Sequence, residues 1–263
     1  MAEQGSPRIL EVRGLKKYFS THRGELHAVD DISFDIYKGE TLGVVGESGC
    51  GKTTASRTIL RLLEPTAGTI TFEGRDVSAA SAGEMRALRG RMQIIFQDPY
   101  ASLNPRMPVN RIIGEPLIIH KRVSGKKELE KRVRELMAVV ELADRLYNAY
   151  PHELDGGRRQ RIGIARALAL EPQFLVCDEP VSALDVSVQA QILNLMGDLQ
   201  DRLGLTYMFV THDMSVVKHI SDDIAVMYLG QVVEKSPARA LFLKQLHPYT
   251  KALIAAIPSL KPG

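Results

Sequence analysis

The chain has 263 residues, of which 44% are hydrophobic and 25% are charged, an ordinary composition for a globular protein. The net charge of +3 is too small to indicate nucleic-acid binding, and the two cysteines, Cys50 and Cys177, lie too far apart in sequence to suggest a metal site. No apolar run approaches the roughly 18 residues that a membrane helix needs, and residues 1–7 lack the apolar core of a signal peptide. We therefore expect a soluble protein of a reducing compartment, with one large α/β domain or a core and a subdomain.

Predicted strands dominate the chain up to about residue 97. Residues 9–19 form a strand-like run of apolar and basic side chains, and apolar and polar side chains alternate over residues 32–36. Residues 41–45 are a short apolar run, typical of a buried strand, and residues 69–72 and 92–96 predict two further strands. This part of the chain is therefore expected to be rich in sheet.

A glycine-rich loop follows the buried strand. Residues 46–53 have the sequence GESGCGKT and match the phosphate-loop pattern G-x-x-x-x-G-K-[ST] at every fixed position. The glycines let backbone N–H groups curl around an anion, and the N-terminus of the next helix adds partial positive charge. Lys52 is expected to hold the β- and γ-phosphates of a nucleotide, and Thr53 to bind Mg²⁺ through its hydroxyl. The predicted nucleotide-binding residues are Gly46, Glu47, Ser48, Gly49, Cys50, Gly51, Lys52, Thr53 and Thr54.

The sequence after the loop has the spacing of a helix. Apolar residues from Ala55 to Leu63 predict a helix that is stopped by Pro65. Strand, loop and helix in this order favour nucleotide binding over the alternative, a glycine-rich turn that binds nothing. The thiol of Cys50 lies inside the loop, and we expect Lys52 and the helix N-terminus to lower its pKa and the empty site to leave it reachable.

Helical patterns replace the strands from about residue 100 to residue 154. Ser124 is predicted to cap a helix that carries the ion pairs Glu128–Arg132 and Glu130–Arg134 on its solvent side. Its apolar face is predicted to consist of Leu129, Val133, Leu136 and Val140. A basic cluster is interpreted as a solvated helix surface rather than a nucleic-acid site: Lys121, Arg122, Lys126, Lys127 and Lys131.

Strands and helices alternate in the rest of the chain. Residues 174–177 and 207–210 are apolar strands, and residues 224–227 and 231–234 predict two closing strands. Helices are predicted after residue 156 and around residues 188–199. This alternation implies a mainly parallel sheet that is covered on both faces.

An acidic pair stands at the end of the strand at residues 174–177. Asp178 follows four apolar residues, the position from which a carboxylate can reach Mg²⁺ beside the phosphates in a phosphate-loop enzyme. Glu179 is placed to orient and deprotonate an attacking water. Alone, such a pair is equally compatible with surface chemistry, and the phosphate loop earlier in the chain favours catalysis.

Together these motifs resemble the nucleotide-binding subunits of ATP-binding cassette (ABC) transporters, over roughly residues 9–258. The Q-loop glutamine of that family is matched by Gln97, its switch histidine by His212 and its adenine-stacking aromatic by Tyr18. Its signature corresponds to residues 154–161 and its D-loop to residues 182–185. The resemblance implies that Gln97 lies near Mg²⁺ and the membrane subunit, and that His212 contacts the γ-phosphate.

The resemblance also implies a fold and a division into domains. The fold is α/β, a P-loop NTPase (RecA-like) core with a mainly parallel sheet, N-terminal antiparallel β elements and an inserted α-helical subdomain. The core is expected to comprise residues 1–98 and 159–246, the helical subdomain residues 99–158 with the signature loop at its end, and the tail residues 247–263. ATP and Mg²⁺ are the implied cofactors, with Thr53, Gln97 and Asp178 around the metal. Lys52, Gln97, Glu179 and His212 are implied to be catalytic.

The signature departs from the family pattern. Asp155 and Arg158 stand where the family commonly has serine and glutamine. Residues that would contact ATP bound by a second subunit are Asp155, Gly156, Gly157 and Arg158. Asp155 is a good N-cap residue and Arg158, three residues later, can pair with it, so the two departures are predicted to be one coupled exchange.

Further sequence segments resemble one branch of the family, the oligopeptide/dipeptide importers. These segments are residues 96–106, 177–185, 247–250 and 256–258, and nickel and glutathione importers share much of their sequence. Relatives often continue into a cysteine-bearing segment that ligates an iron–sulfur cluster. This sequence has no cysteine after Cys177, and we expect no iron–sulfur cluster in this chain.

The resemblance implies an ATPase subunit on the cytoplasmic face of the cell (inner) membrane, peripheral to it. Expected partners are a second ABC ATPase subunit, two membrane permease subunits and an extracytoplasmic substrate-binding protein; nucleic acid is not expected. Because one cassette is present, a second must come from another chain, and a heterodimer is favoured over a homodimer. Two alternatives remain. The first is an ABC protein that acts on DNA or ribosomes. The second is a mainly structural subunit with a degenerate composite site, the ATP site formed by the phosphate loop of one subunit and the signature loop of the other.

Overall fold

The computed structural model describes residues 7–22, 24–98 and 100–257. The elements up to the end of the middle region are β1 (Arg8–Thr21), β2 (Gly24–Tyr37), β3 (Thr41–Val45), α1 (Lys52–Ile59), β4 (Ala67–Phe72), β5 (Arg75–Asp76), α2 (Ala82–Arg91), β6 (Met92–Ile95), α3 (Val109–Ile119) and α4 (Lys126–Val139). They are followed by α5 (Gly156–Leu168), β7 (Phe174–Asp178), α6 (Val186–Leu203), β8 (Thr206–Thr211), α7 (Met214–Ile220), β9 (Asp223–Tyr228), β10 (Gln231–Pro237), α8 (Ala238–Leu243) and α9 (Pro248–Ala255). In this part of the chain no helix is long and apolar enough to cross a membrane.

The chain divides into two compact units, and the first comprises Met1–Met85 and Thr206–Gly263. Its central strands have the order β10-β9-β3-β8, in which β3 is parallel to both β8 and β9, and β10 is antiparallel to β9. A second sheet of this unit has the order β2-β1-β4-β5 and is antiparallel. All five residues of β3 are buried, as the apolar run in the sequence predicts.

Helix α1 is shorter than its apolar spacing predicts. It ends at Ile59, and Arg61 takes a left-handed backbone conformation with φ of 50°. The N–H groups of Leu62 and Leu63 bond back to the carbonyl of Arg57 at 2.8 and 3.2 Å, which closes the helix. Leu62, inside the predicted helix, is 45% exposed, so the prediction that the helix continues to Pro65 is wrong.

The second unit, Arg86–Leu205, contains β6 and β7 as parallel neighbours and the helices α3 to α6. Helix α4 has its predicted apolar side, with Val133 and Leu136 buried. Ser124 is not its N-cap: Gly125 takes that position, and Ser124 donates its N–H to the carboxylate of Glu128 at 2.6 Å.

One of the two ion pairs predicted on α4 is present. Glu130 pairs with Arg134 at 2.9 Å. Arg132 instead contacts Glu135 at 3.0 Å and Glu171, while the carboxylate of Glu128 accepts the Ser124 amide. The predicted Glu128–Arg132 pair is therefore wrong, because the carboxylate of Glu128 accepts the backbone N–H of Ser124 at the start of the helix instead.

Strands alternating with helices and an antiparallel N-terminal sheet confirm the predicted α/β class. The predicted boundaries at residues 98 and 158 and the start of the tail at 247 stay a prediction. Parts of those predictions fall on residues 1–6, 23, 99 and 258–263, outside the described residues, as does the last residue of the 256–258 segment.

Candidate functional site

The loop between β3 and α1 packs closely against two other strands of the first unit. A Cβ atom added to Gly46 would lie 2.2 Å from the carbonyl oxygen of Met227 in β9. Gly51 has φ of 106°, and a Cβ there would lie 2.1 Å from the carbonyl oxygen of Ala28 in β2. Only glycine fits both positions. Gly51 is also the N-cap of α1 and has no side chain to bond the first N–H groups of that helix, which makes this end a suitable anion site.

Lys52 closes the loop from inside. Its ammonium donates to the carbonyl oxygens of Gly46 at 2.6 Å and Glu47 at 2.8 Å, and the residue is only 4% exposed. Hydrogen bonds from a charged donor are stronger than neutral ones, and here they hold two successive carbonyl groups towards one cation. The cation lies inside the loop, where the phosphate-loop pattern requires it.

Cys50 differs from the sequence-based expectation. It is 6% exposed, and its Sγ lies 3.8 Å from the Nζ of Lys52. Burial raises the pKa of Cys50, and the nearby ammonium of Lys52 offsets that shift only in part. The expected lowering of its pKa is therefore wrong, as is the expected access to its thiol, because the side chain points into the packed loop instead of outwards.

The parallel register brings the loop and His212 to one edge of the first unit's sheet. Val45, the last residue of β3, pairs with Thr211, the last residue of β8, so Gly46 and His212 leave the sheet side by side. His212 is exposed, and Asp213 caps α7 by accepting the N–H of Ser215 at 2.7 Å. The histidine thus stands at the carboxyl ends of the strands, where open α/β sheets bind ligands.

Tyr18 is held in a cluster that the sequence alone does not reveal. Its ring stacks on His27, the cross-strand partner in β2, with centroids 3.8 Å apart and planes 10° apart. Its hydroxyl donates to Asp30, and this hydrogen bond raises the pKa of Tyr18 to about 12 and lowers that of Asp30. The ring is therefore fixed in orientation as a flat aromatic surface.

In the second unit the acidic pair ends β7, as predicted. Asp178 is 1% exposed at the last position of that strand. Glu179 follows in a left-handed conformation with φ of 49°, which few non-glycine residues adopt. The Nε2 of Gln97 donates to the Oε2 of Glu179 at 2.9 Å, so the predicted Q-loop glutamine and the predicted base are in direct contact.

The signature residues form a capped helix start. Asp155 is the N-cap of α5 and accepts the N–H of Arg158 at 2.7 Å, as its position in the sequence predicts. The guanidinium of Arg158 lies 3.4 Å from the second carboxylate oxygen of Asp155. Gly157 packs against α6, where an added Cβ would lie 2.6 Å from a methyl carbon of Val188.

The D-loop aspartate has a local role as well. Asp185 is the N-cap of α6 and accepts the N–H of Val188 at 3.0 Å, which lowers the pKa of its carboxyl group. Helix α6 therefore begins directly after the predicted D-loop.

The structure brings together several of the predicted residues within each unit. Lys52 contacts Gly46, Glu47 and Cys50 in the first unit. In the second, Gln97 contacts Glu179, and Asp155 contacts Arg158. The first unit also carries Tyr18, Ser48, Gly49, Thr53, Thr54 and His212, and the second carries Asp178, Gly156 and Gly157.

Three residues that sequence analysis did not select touch this site. His27 and Asp30 hold Tyr18, and Tyr249 of α9 contacts the phosphate loop. The alternation of β2 could have suggested His27 as a cross-strand neighbour, whereas no local pattern links Tyr249 to a loop some 200 residues earlier.

A loop of this geometry between a parallel strand and a helix, with a buried acid ending another strand, defines a nucleoside-triphosphate-binding protein. Residues 29–182 match the family model described as ABC transporter. The chain belongs to this family, and like the other cassettes it is an ATP-binding ATPase.

Similar proteins support the same assignment. The chain is 57% identical over 256 residues to the oligopeptide transport ATP-binding protein OppF of Bacillus subtilis, covering 97% of this chain and 84% of the relative. It is 50% identical over 266 residues to the oligopeptide transport ATP-binding protein AppF of the same organism, covering 98% and 80%. Among solved structures, the ATP-binding cassette MJ0796, a dimer in a post-hydrolysis state with ADP and Pi, superposes with a TM-score of 0.79 at 29% identity, covering 88% of this chain and 99% of that one.

Proposed function

We propose that this chain is the ATP-hydrolysing subunit of an ABC importer and powers the uptake of di- and oligopeptides through separate membrane subunits. The observation that carries the proposal is the 57% identity over 97% of the chain to an oligopeptide transport ATP-binding protein. The intact phosphate loop and the Gln97–Glu179 contact supply the parts that ATP hydrolysis needs. Import of nickel or glutathione is the alternative within the same branch.

The proposed chemistry is attack of water on the γ-phosphorus of ATP. Glu179 accepts the proton of the attacking water, the bond from the β–γ bridging oxygen to the γ-phosphorus breaks, and ADP and phosphate are released. Lys52 and the N–H groups of the loop bind the phosphates, His212 contacts the γ-phosphate, and the ring of Tyr18 stacks on adenine.

Mg²⁺ is proposed to bind with the nucleotide on Thr53, Gln97 and Asp178. These side chains offer a hydroxyl, an amide and a carboxylate oxygen, the hard donors that Mg²⁺ prefers, and Asp178 is buried at the end of β7 where its position is fixed. When bound there, Mg²⁺ would neutralise part of the phosphate charge. No iron–sulfur cluster is proposed for this chain.

The composite site is proposed to need a second cassette. The similar cassette MJ0796 is a dimer, and Asp155, Gly156, Gly157 and Arg158 are proposed to face ATP held by the partner. A related but distinct subunit is the proposed partner, together with two permeases and a substrate-binding protein, at the cytoplasmic face of the inner membrane.

Reconstitution of the whole transporter tests the substrate. The chain is co-purified with its partner ATPase, both permeases and the binding protein, and the complex is placed in proteoliposomes. We expect ATP-dependent uptake of a labelled tri- or tetrapeptide, and no comparable uptake of labelled nickel or glutathione. ATP-dependent uptake of nickel or glutathione without peptide uptake would contradict the proposal.

The altered signature favours a second possibility, a subunit whose composite site is degenerate. Asp155 cannot donate a hydrogen bond and would face a phosphate of like charge, a repulsion on the order of 4 kcal/mol at 4 Å and an effective dielectric near 20. Arg158 lies 3.4 Å from Asp155 and can compensate. Both side chains are about half exposed, so their attraction in the isolated chain is worth about 1 kcal/mol at most.

A double-mutant cycle tests whether Asp155 and Arg158 act as a coupled pair. We expect Arg158→Gln alone to reduce the ATPase rate of the complex more than Arg158→Gln combined with Asp155→Ser, with a coupling of about 1 kcal/mol, or roughly fivefold in rate. The ATPase rate of the four proteins with the partner subunit measures it. Additive effects would mean that Asp155 and Arg158 act independently.

A further inference from the structure

Helix α9, the last helix of the described residues, contacts the phosphate loop. The hydroxyl oxygen of Tyr249, in α9, accepts the backbone N–H of Glu47 at 3.0 Å. Glu47 is the second residue of the loop, directly after Gly46. The HPYT segment at residues 247–250, so far only a marker of the importer branch, therefore reaches the nucleotide-binding loop.

Tyr249 is held in place by contacts outside the loop. Both carboxylate oxygens of Glu234 accept backbone N–H groups, of Leu246 and of His247, each at 2.9 Å. The Nδ1 of His247 accepts the N–H of Tyr249 at 3.2 Å and caps α9. The phenol is thus anchored through β10, independently of the loop that it contacts.

Packing adds to this anchoring. The ring of Tyr249 lies 4.3 Å from the ring of Tyr228, centroid to centroid, at the end of β9. Tyr249 also packs, with Leu253 of the same helix, against a buried apolar cluster that includes Val45, the last residue before the loop, and Val226. The helix therefore packs against the same apolar cluster as the last residue of the strand from which the phosphate loop emerges.

One peptide unit of the loop is held from both sides. The carbonyl of Gly46 and the N–H of Glu47 belong to the same peptide plane. Lys52 donates to that carbonyl at 2.6 Å from inside the loop, and Tyr249 accepts from that N–H at 3.0 Å from outside. Because a peptide plane is rigid, these two bonds fix its orientation.

We infer that Tyr249 is a positioning residue for ATP binding, which holds the Gly46–Glu47 peptide plane in place while Lys52 turns from the loop carbonyls to the phosphates of ATP. This inference rests on the proposed ATPase function. Glu47 is an exposed residue, so water can accept its N–H when the phenol oxygen is removed. A water molecule is not anchored to α9, so the peptide plane is less restrained, and its ordering has to be supplied when ATP binds.

The test replaces the hydroxyl and keeps the ring. We expect Tyr249→Phe, in the complete transporter, to raise the KM for ATP about two- to tenfold, the range of one typical hydrogen bond, with kcat within about twofold of the wild type. The matched control is Tyr228→Phe, which removes a hydroxyl from the neighbouring ring and is expected to leave KM unchanged. A merely structural role of Tyr249 would lower thermal stability without separating KM from kcat.

A second measurement does not need ATPase activity. In the nucleotide-free complex, hydrogen exchange at the Glu47 amide is expected to be about two- to tenfold faster in Tyr249→Phe than in the wild type or in Tyr228→Phe. Equal exchange rates in all three proteins, or a KM for ATP in Tyr249→Phe equal to that of Tyr228→Phe, would overturn the inference. A wild-type complex that does not hydrolyse ATP would instead refute the proposed function, and the exchange rates would still show whether Tyr249 restrains the Glu47 amide.

Discussion

Replacement of Glu179 by glutamine is expected to slow ATP hydrolysis by about 10²–10⁴-fold and to leave ATP binding intact, because the amide cannot take a proton from the attacking water. The contact with Gln97 should persist, since the amide oxygen of a glutamine at position 179 can still accept from Nε2, now 2.9 Å from the carboxylate. Single-turnover hydrolysis and binding of a fluorescent ATP analogue, both in the complex with the partner subunit, separate the two effects.

The control for this substitution is Glu171→Gln. Glu171 lies in the same unit and has the same left-handed backbone, with φ of 54° against 49° for Glu179, but its carboxylate contacts Arg132, outside the motifs of the site. We expect Glu171→Gln to hydrolyse ATP at the wild-type rate. Wild-type hydrolysis in Glu179→Gln would assign the proton transfer to another group.

Replacement of Lys52 by alanine is expected to weaken ATP binding by roughly 10²-fold or more, since a charged donor to phosphate contributes about 1.5–3 kcal/mol per hydrogen bond. The change should also destabilise the nucleotide-free protein by about 1–3 kcal/mol, because the buried carbonyl of Gly46 loses its donor at 2.6 Å. Titration with a fluorescent ATP analogue and thermal unfolding without nucleotide measure the two quantities.

An exposed lysine of the same unit provides the comparison. Lys38 lies in the turn between β2 and β3, and Lys38→Ala should change neither ATP affinity nor stability by more than about 0.5 kcal/mol. Unaltered ATP affinity in a folded Lys52→Ala protein would contradict the assignment of Lys52 as phosphate anchor.

Local sequence patterns were sufficient for the central strands and the phosphate loop. The apolar runs before Gly46 and Asp178 are short and continuous because β3 and β7 are buried along their whole length. Both strands can therefore be recognised from their own residues, without knowledge of the neighbouring strands. The N-cap role of Asp155 was equally local, since the acceptor and the N–H of Arg158 are three residues apart.

The features that sequence patterns missed depend on distant residues. Helix α1 ends early where the guanidinium of Arg61 bonds the carbonyl groups of Val77 and Ala80, which no spacing of apolar residues reveals. The pKa of Cys50 follows the burial of its side chain, whereas the sequence displays only the neighbouring Lys52. The contact between Tyr249 and Glu47 joins positions from opposite ends of the chain.

The two glycines that pack the loop against β9 and β2 bear on how this family loses activity. A Cβ atom at Gly46 or Gly51 would collide with the carbonyl oxygen of Met227 or Ala28, so the packing of the loop requires both glycines whether or not a nucleotide binds. A descendant that no longer hydrolysed ATP would therefore still need both glycines in order to fold. The residue at position 179 would no longer be under selection for catalysis. In a degenerate cassette, glycines at these two positions would therefore indicate only that it descends from this family. The residue at the position of Glu179 would indicate whether it still hydrolyses ATP.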